Sequence, residues 1–97
     1  MPFAIEFNRA AIRHVRALTA RQRAIVMDGI RDQLTDEPLK ETRNKKSRRP
    51  NPIAPMELRL GSLRVYYDVS GPVVIVLAVG VKIRERVQID GKVVEQR

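Results

Sequence analysis

The residues of this chain best placed for chemistry flank the dipeptide Gly61-Ser62. If that dipeptide is a two-residue hairpin loop, Leu60 pairs with Leu63, Arg59 with Arg64, Leu58 with Val65 and Glu57 with Tyr66. The side-chain period of two then sends Leu58, Leu60, Leu63 and Val65 toward a core, and Glu57, Arg59, Arg64 and Tyr66 to the opposite face. Like charges directly opposite destabilise a sheet, so Arg59 beside Arg64 calls for an anion between them. A phosphate would serve. Glu57, diagonal to Arg64, is the internal alternative, and it would leave a solvated charged face.

Two further groups of cations extend this patch. Lys82, Arg84 and Arg86 have the spacing that puts three positive charges on one side of an extended segment, either as protection of a sheet edge or as part of a five-cation surface with Arg59 and Arg64. The stretch KETRNKKSRR carries six basic residues (Lys40, Arg43, Lys45, Lys46, Arg48 and Arg49) against Glu41 alone. Prolines at 50, 52 and 55 follow, so the stretch reads as a loop or mobile arm, functioning as a phosphate-binding segment or as a solvated linker. Arginine-rich segments hold nucleic-acid phosphates without reading sequence. His14, between Arg13 and Val15, reads as a surface or packing residue, and Tyr66 as a base-stacking ring or proton donor.

The elements that must position these groups follow from periodicity. Phe3, Ile5 and Phe7 alternate as in a half-buried strand. Asn8 is placed to cap a helix with Ala11, Ile12, Val15 and Leu18 on its apolar side. Thr19 and Gln22 form a capping-box pattern ahead of Val26, Met27, Ile30 and Leu34, and Asp36-Glu37-Pro38 ends that helix. Met56 to Leu60 and Leu63 to Val69 make a hairpin, Val73 to Val79 a central strand, and Asp90-Gly91 the turn of a possible extra C-terminal hairpin. The fold expected is α+β: two N-terminal helices forming a hairpin packed on a small, mostly antiparallel β-sheet, in the order β-α-α-β-β-β.

Composition narrows the function. The chain has 97 residues, 19 Lys plus Arg against 11 Asp plus Glu, a net charge of +8, no cysteine and one histidine. A single domain over 1–97 is expected, drawn to polyanions. A disulfide framework, a thiolate metal site and a cysteine nucleophile are excluded, and no metal or cofactor is expected. The longest apolar run, Pro72 to Val81, is far shorter than the ~20 residues of a membrane span. With Glu6, Arg9 and Arg13 interrupting the N-terminus, a soluble cytoplasmic protein without a membrane partner is expected.

The stretch MELRLGSLRVYYDVSGPVVIVLAVGVK, Met56 to Lys82, resembles the signature of the RelE/ParE superfamily of bacterial toxins from type II toxin–antitoxin modules. The order of strand, two helices and basic loop before it is similar to that family too. The resemblance implies a cognate antitoxin as partner and one of two activities. The RelE-like branch cuts messenger RNA on the ribosome, making this chain a metal-independent endoribonuclease. The ParE-like branch inhibits DNA gyrase without nuclease chemistry. A non-catalytic module that only binds RNA or antitoxin is a third possibility. By position, Arg64 matches the arginine on the scissile phosphate in the nuclease branch, Arg59 a strand lysine and Lys82 an arginine after the strand-ending glycine. Glu57 stands where some members have lysine, and Gln88 near where a Tyr or His acts in proton transfer. Glu57 and Tyr66 are then the candidates for base and acid, and Arg43, Lys45, Lys46, Arg48, Arg49, Arg84 and Arg86 for RNA binding.

Overall fold

The computed structural model describes residues 2–47, 54–84 and 86–89, and the backbone of 92–94. Strand β1 (Ala4–Phe7) leads into helix α1 (Arg9–Arg16). The Asn8 side chain accepts a hydrogen bond from the Ala11 N–H at 2.7 Å, satisfying one of the donors that a first turn leaves open. Helix α2 (Ala20–Leu34) opens on the expected capping box: the Gln22 N–H donates to Thr19 Oγ1 at 3.1 Å, and the Thr19 N–H to Gln22 Oε1 at 3.0 Å. Arg23 joins the two helices. Its Nε donates to the Val15 carbonyl (3.3 Å) and its Nη2 to those of Leu18 (3.1 Å) and Arg16 (3.5 Å), so a cation meets the carbonyls that the end of α1 leaves without partners.

The rest of the chain is sheet: β2 (Lys45–Ser47), β3 (Met56–Leu60), β4 (Leu63–Ser70), β5 (Val73–Ile83), β6 (Arg86–Ile89) and β7 (Lys92–Val94). These pair antiparallel in chain order, while β1 adds in parallel to β5. One edge of β5 is shared. Residues 73–76 pair with β1, and 81–83 with β6. In the gap between them the Val79 N–H donates to His14 Nδ1 at 3.2 Å, so a helix side chain takes the place of a strand. No helix is long and apolar enough to cross a membrane among the described residues.

One face of the sheet meets the helices. Leu58, Leu63, Val65, Tyr67, Val74, Val76 and Val79 pack with Ala11, Val26, Ile30 and Leu34 in one buried cluster. Two residues expected inside lie outside: Ile12 and Met27 are each 42% exposed. With Ala11, Val15 and Leu18 inward, position 14 falls on one flank of the buried stripe, about 60° from Ala11, and position 12 on the other, about 100° from it, so buried His14 replaces Ile12. Helix α2 turns Gly29 toward β3, where an added Cβ would lie 2.5 Å from Leu60 Cδ1. Met27, on the other flank, is thereby left outside.

Two further expectations need correction, and a third, the extra C-terminal hairpin, holds. The central strand runs on to Ile83, past Val79, with its pairing shifted between Tyr66 and Tyr67. The C-terminal hairpin is a continuation of the sheet, since β6 pairs with β5 and β7 with β6; the Asp90-Gly91 turn lies outside the described residues. The basic stretch is only partly loop, because Lys45–Ser47 forms β2 opposite Met56 to Leu58. A tight turn organises it: the N–H groups of Asn44 and Lys45 donate to Thr42 Oγ1 at 3.2 and 3.1 Å, and the Thr42 N–H donates to the Lys45 carbonyl at 2.9 Å. A charge count does not register such bonds.

Candidate nucleic-acid interface

The register around the β3–β4 turn is as the spacing requires: Leu60 opposite Leu63, Arg59 opposite Arg64, Leu58 opposite Val65, Glu57 opposite Tyr66. Gly61 takes φ +63°, the left-handed conformation that a side chain disfavours and a two-residue turn demands. Leu58, Leu63 and Val65 are buried on the helix side. Glu57, Arg59, Arg64 and Tyr66 share the other face.

That face is covered, as a central strand buried on both faces requires, but the cover extends to the hairpin residues that the spacing left open to an anion or to solvent. Tyr66 is fully buried in a second apolar cluster with Ala54, Ala78, Val87 and Ile89. Glu57 is 1% exposed and Arg64 8%. Strand β6 supplies Val87 and Ile89 to this cover, and the alternation of β3 and β4 alone carries no information about it. Tyr66 is therefore neither an exposed stacking ring nor a solvent-facing proton donor.

The two arginines are kept apart by separate partners. Arg59 Nε donates to Glu57 Oε1 at 2.8 Å, with Arg59 37% exposed along its side chain. Arg64 Nη1 donates to the carbonyls of Gly61 at 2.5 Å and Leu63 at 2.9 Å. The carboxylate thus pairs with the neighbour on its own strand, while the Arg64 guanidinium caps the turn. Lys82 belongs to the same face and the same end of the sheet. Arg64 lies opposite Gly80, two residues before Lys82, and the Lys82 N–H donates to the Ser62 carbonyl at 2.6 Å.

Lys82, Arg84 and Arg86 do not form one row. The chain reverses after Ile83, with Ile83 opposite Arg86 and Lys82 opposite Val87. Arg84 stands in that turn at φ +59°. Only half-buried Lys82 joins Arg59 and Arg64; Arg84 and Arg86 are exposed at the hairpin tip. Gln88 lies opposite Val81 and lines a small cleft with His14, Leu18 and Gln22 on the helix side, across the sheet from Arg64.

Lys45 also departs from its expected role. It is 7% exposed, and its Nζ donates to the carbonyls of Gln33 (3.1 Å) and Glu37 (2.8 Å). A cation at the end of α2 satisfies carbonyls that helix geometry leaves open, in a cleft with Asp32, Asp36 and Glu37. It is structural. Arg43 is exposed and Lys46 half-buried, while Arg48 and Arg49 lie outside the described residues. Gly80 was not singled out from the sequence. A Cβ there would lie 2.7 Å from the Gln88 carbonyl oxygen and from Ile89 Cγ1, so the glycine lets β6 lean against the sheet beside Arg64. The signal was a glycine at the end of an unbroken β-branched run. Among the described residues no three His, Asp or Glu side chains gather into a metal site.

Comparison with known proteins adds one finding. No family model matches the chain, and no curated protein matches it. Among solved structures, the crystal structure of the toxin–antitoxin complex RelBE2 from Mycobacterium tuberculosis contains a similar chain, with 26% sequence identity and a TM-score of 0.69. The likeness covers 84% of this chain and 100% of that one. The resemblance to a RelE-type toxin therefore extends from the Met56 to Lys82 motif to the fold.

Proposed function

We propose that this chain is the toxin component of a type II toxin–antitoxin module, acting in the cytoplasm on messenger RNA at the ribosome and silenced by a cognate antitoxin that covers its basic surface. The observation that carries this reading is the shared fold, at 26% identity over 84% of the chain, with a chain of a toxin–antitoxin complex. The cations support the RNA part of it. Arg59, Arg64 and Lys82 share one face at one end of the sheet, where a phosphate would meet positive charge.

Cleavage without a metal asks the 2′-hydroxyl to attack the neighbouring phosphorus, the phosphoryl oxygens to gain charge and the 5′-oxygen to leave with a proton. Arg64, with Arg59 or Lys82, suits the second task, for which a preorganised donor contributes ~3–4 kcal/mol. Glu57 and Tyr66 would have to serve the other two, and both are buried, Tyr66 beneath Val87 and Ile89 of β6. Positioning of the message in the ribosome then carries more of the barrier.

Inducing the protein and mapping message ends by primer extension tests this. New 5′ ends should appear in translated messages with the wild type and vanish with Arg64→Ala; intact messages with the wild type would refute the nuclease. The same burial of Glu57 and Tyr66, with Gln88 on the other side of the sheet, favours a second reading, a gyrase inhibitor without nuclease chemistry. That reading expects loss of DNA supercoiling by gyrase while messages stay whole.

A further inference from the structure

The exposed side of α1 is a row of cations. Arg9, Arg13 and Arg16 recur at i, i+4 and i+7 and so share one stripe about 10 Å long, opposite buried Ala11 and His14. From Asn8 to Met27 the chain holds five arginines and no acid. Its charge of +5 equals that of Lys40 to Arg49, where six basic residues meet one acid. The outer side of α2 is different, for there Arg31 reaches Asp28 at 2.7 Å and Asp32 at 3.8 Å.

Fold stability accounts for only part of this row: Arg13 and Arg16 lie in the last turn of α1, where the helix dipole favours a cation, but Arg9 does not. Neither helix has an acid in its first turn, so Arg9 and Arg21 stand where the helix dipole repels a cation. Arg23, in the same unfavourable position, has a structural task at the end of α1. Arg9, Arg16 and Arg21 make no side-chain hydrogen bond or ion pair among the described residues.

We propose that the outer side of α1, with Arg9, Arg13 and Arg16 extended by Arg21 at the start of α2, docks the phosphate backbone of double-stranded RNA. Charge complementarity selects a polyanion. The aromatic residues select a duplex. Surfaces for single strands interleave cations with stacking rings, but Phe3 and Phe7 are half-buried before and in β1, Tyr66 and Tyr67 are buried in β4, and no aromatic stands on either helix. An A-form duplex is held by its phosphates and shape, without stacking. This inference takes its RNA target from the function proposed above and deepens it. It gives the molecule a second RNA contact, across the sheet from Arg64, that anchors folded RNA without selecting sequence.

The test titrates the full chain with a blunt RNA duplex of about 20 base pairs over a range of salt, and repeats it with Arg9→Gln/Arg16→Gln. Losing two phosphate contacts should make the plot of log affinity against log salt shallower by about 2 and weaken binding ~10-fold or more. The same variant should melt within a few degrees (~1–4 °C) of the wild type, since the repulsion removed at Arg9 offsets the favourable dipole interaction lost at Arg16; that excludes misfolding as the cause. Wild-type affinity and slope in the variant would overturn the inference. So would unchanged RNA binding with weakened antitoxin binding, which would assign the row to a protein partner. Primer extension separates the two proposals. Intact messages with duplex affinity still dependent on Arg9 and Arg16 remove the nuclease and keep the docking surface, whereas cut messages with normal duplex binding by the variant remove only the surface.

Discussion

The two faces of the sheet are both buried, yet by different materials. Toward the helices, Leu58, Val65, Val74, Val76 and Val79 meet Val26, Ile30 and Leu34 in an apolar core. On the far side a small cluster of Tyr66, Ala54, Ala78, Val87 and Ile89 shares its face with Glu57 and Arg64. Each face also keeps two ionisable side chains, Glu57 and Arg64 at 1% and 8% exposure on the far side and His14 and Lys45 at 7% each on the helix side, and a buried charge must recover its lost hydration through specific partners. Glu57 recovers it in part from Arg59, and Arg64 from the turn carbonyls. The helix side holds the larger apolar core, and the far side a smaller cluster beside Glu57 and Arg64.

That contrast can be broken by mutation. The largest effect is expected from Leu58→Ala, which empties a fully buried site on the helix side and should cost about 2–5 kcal/mol in urea denaturation. Val87→Ala, on the far side, should cost about 2 kcal/mol; a loss equal to that of Leu58→Ala would erase the distinction between the faces. Lys45→Met keeps the bulk of the side chain but strips the Gln33 and Glu37 carbonyls of their donor, for an expected loss of about 1.5–3 kcal/mol in thermal melting. An unchanged melting temperature would mean that those carbonyls do not depend on it.

Gly80→Ala sharpens the comparison from the far side. The new methyl meets the backbone oxygen of Gln88, so β6 must shift, with a loss of about 1–3 kcal/mol and a larger proportional fall in growth arrest on induction. Full arrest would show that the placing of β6 beside Arg64 is immaterial. The smallest effect is expected from Tyr67→Phe, about 1–2 kcal/mol, because the Tyr67 hydroxyl donates to the Pro38 carbonyl at 2.5 Å. Burial pushes the Tyr67 pKa well above the ordinary tyrosine value. The folded state thus favours the neutral ring, and this contribution is complete below about pH 10 and drains away as pH rises beyond it. Wild-type stability should fall more steeply than that of Tyr67→Phe above that pH, and parallel curves would contradict the assignment.

Much of the fold can be read from short stretches of chain. Asn8, and Thr19 with Gln22, mark helix starts because a cap bond spans three residues. The Arg59–Arg64 register follows from one turn and a period of two. The candidate site is less legible. Its residues are placed on the expected face, but the burial of Tyr66 involves Val87 and Ile89 of β6, and the split of Lys82 from Arg84 and Arg86 depends on a reversal at Arg84 that no glycine announces. Six basic residues between Lys40 and Arg49 look alike in a list, whereas Lys45 reaches the Gln33 carbonyl in the last turn of α2.

Local chemistry, acting within a few residues, decides where this chain caps, turns and alternates, and its charge decides that it seeks anions. Which residue occupies the space between β1 and β6 is settled only by contacts between distant segments: the His14 ring receives the Val79 N–H across 65 positions of sequence. The same holds for the partners of Lys45 and the cover over Arg64. Each depends on a buried polar group finding its complement, and that demand exists only once the sheet and the helices have excluded water from between them.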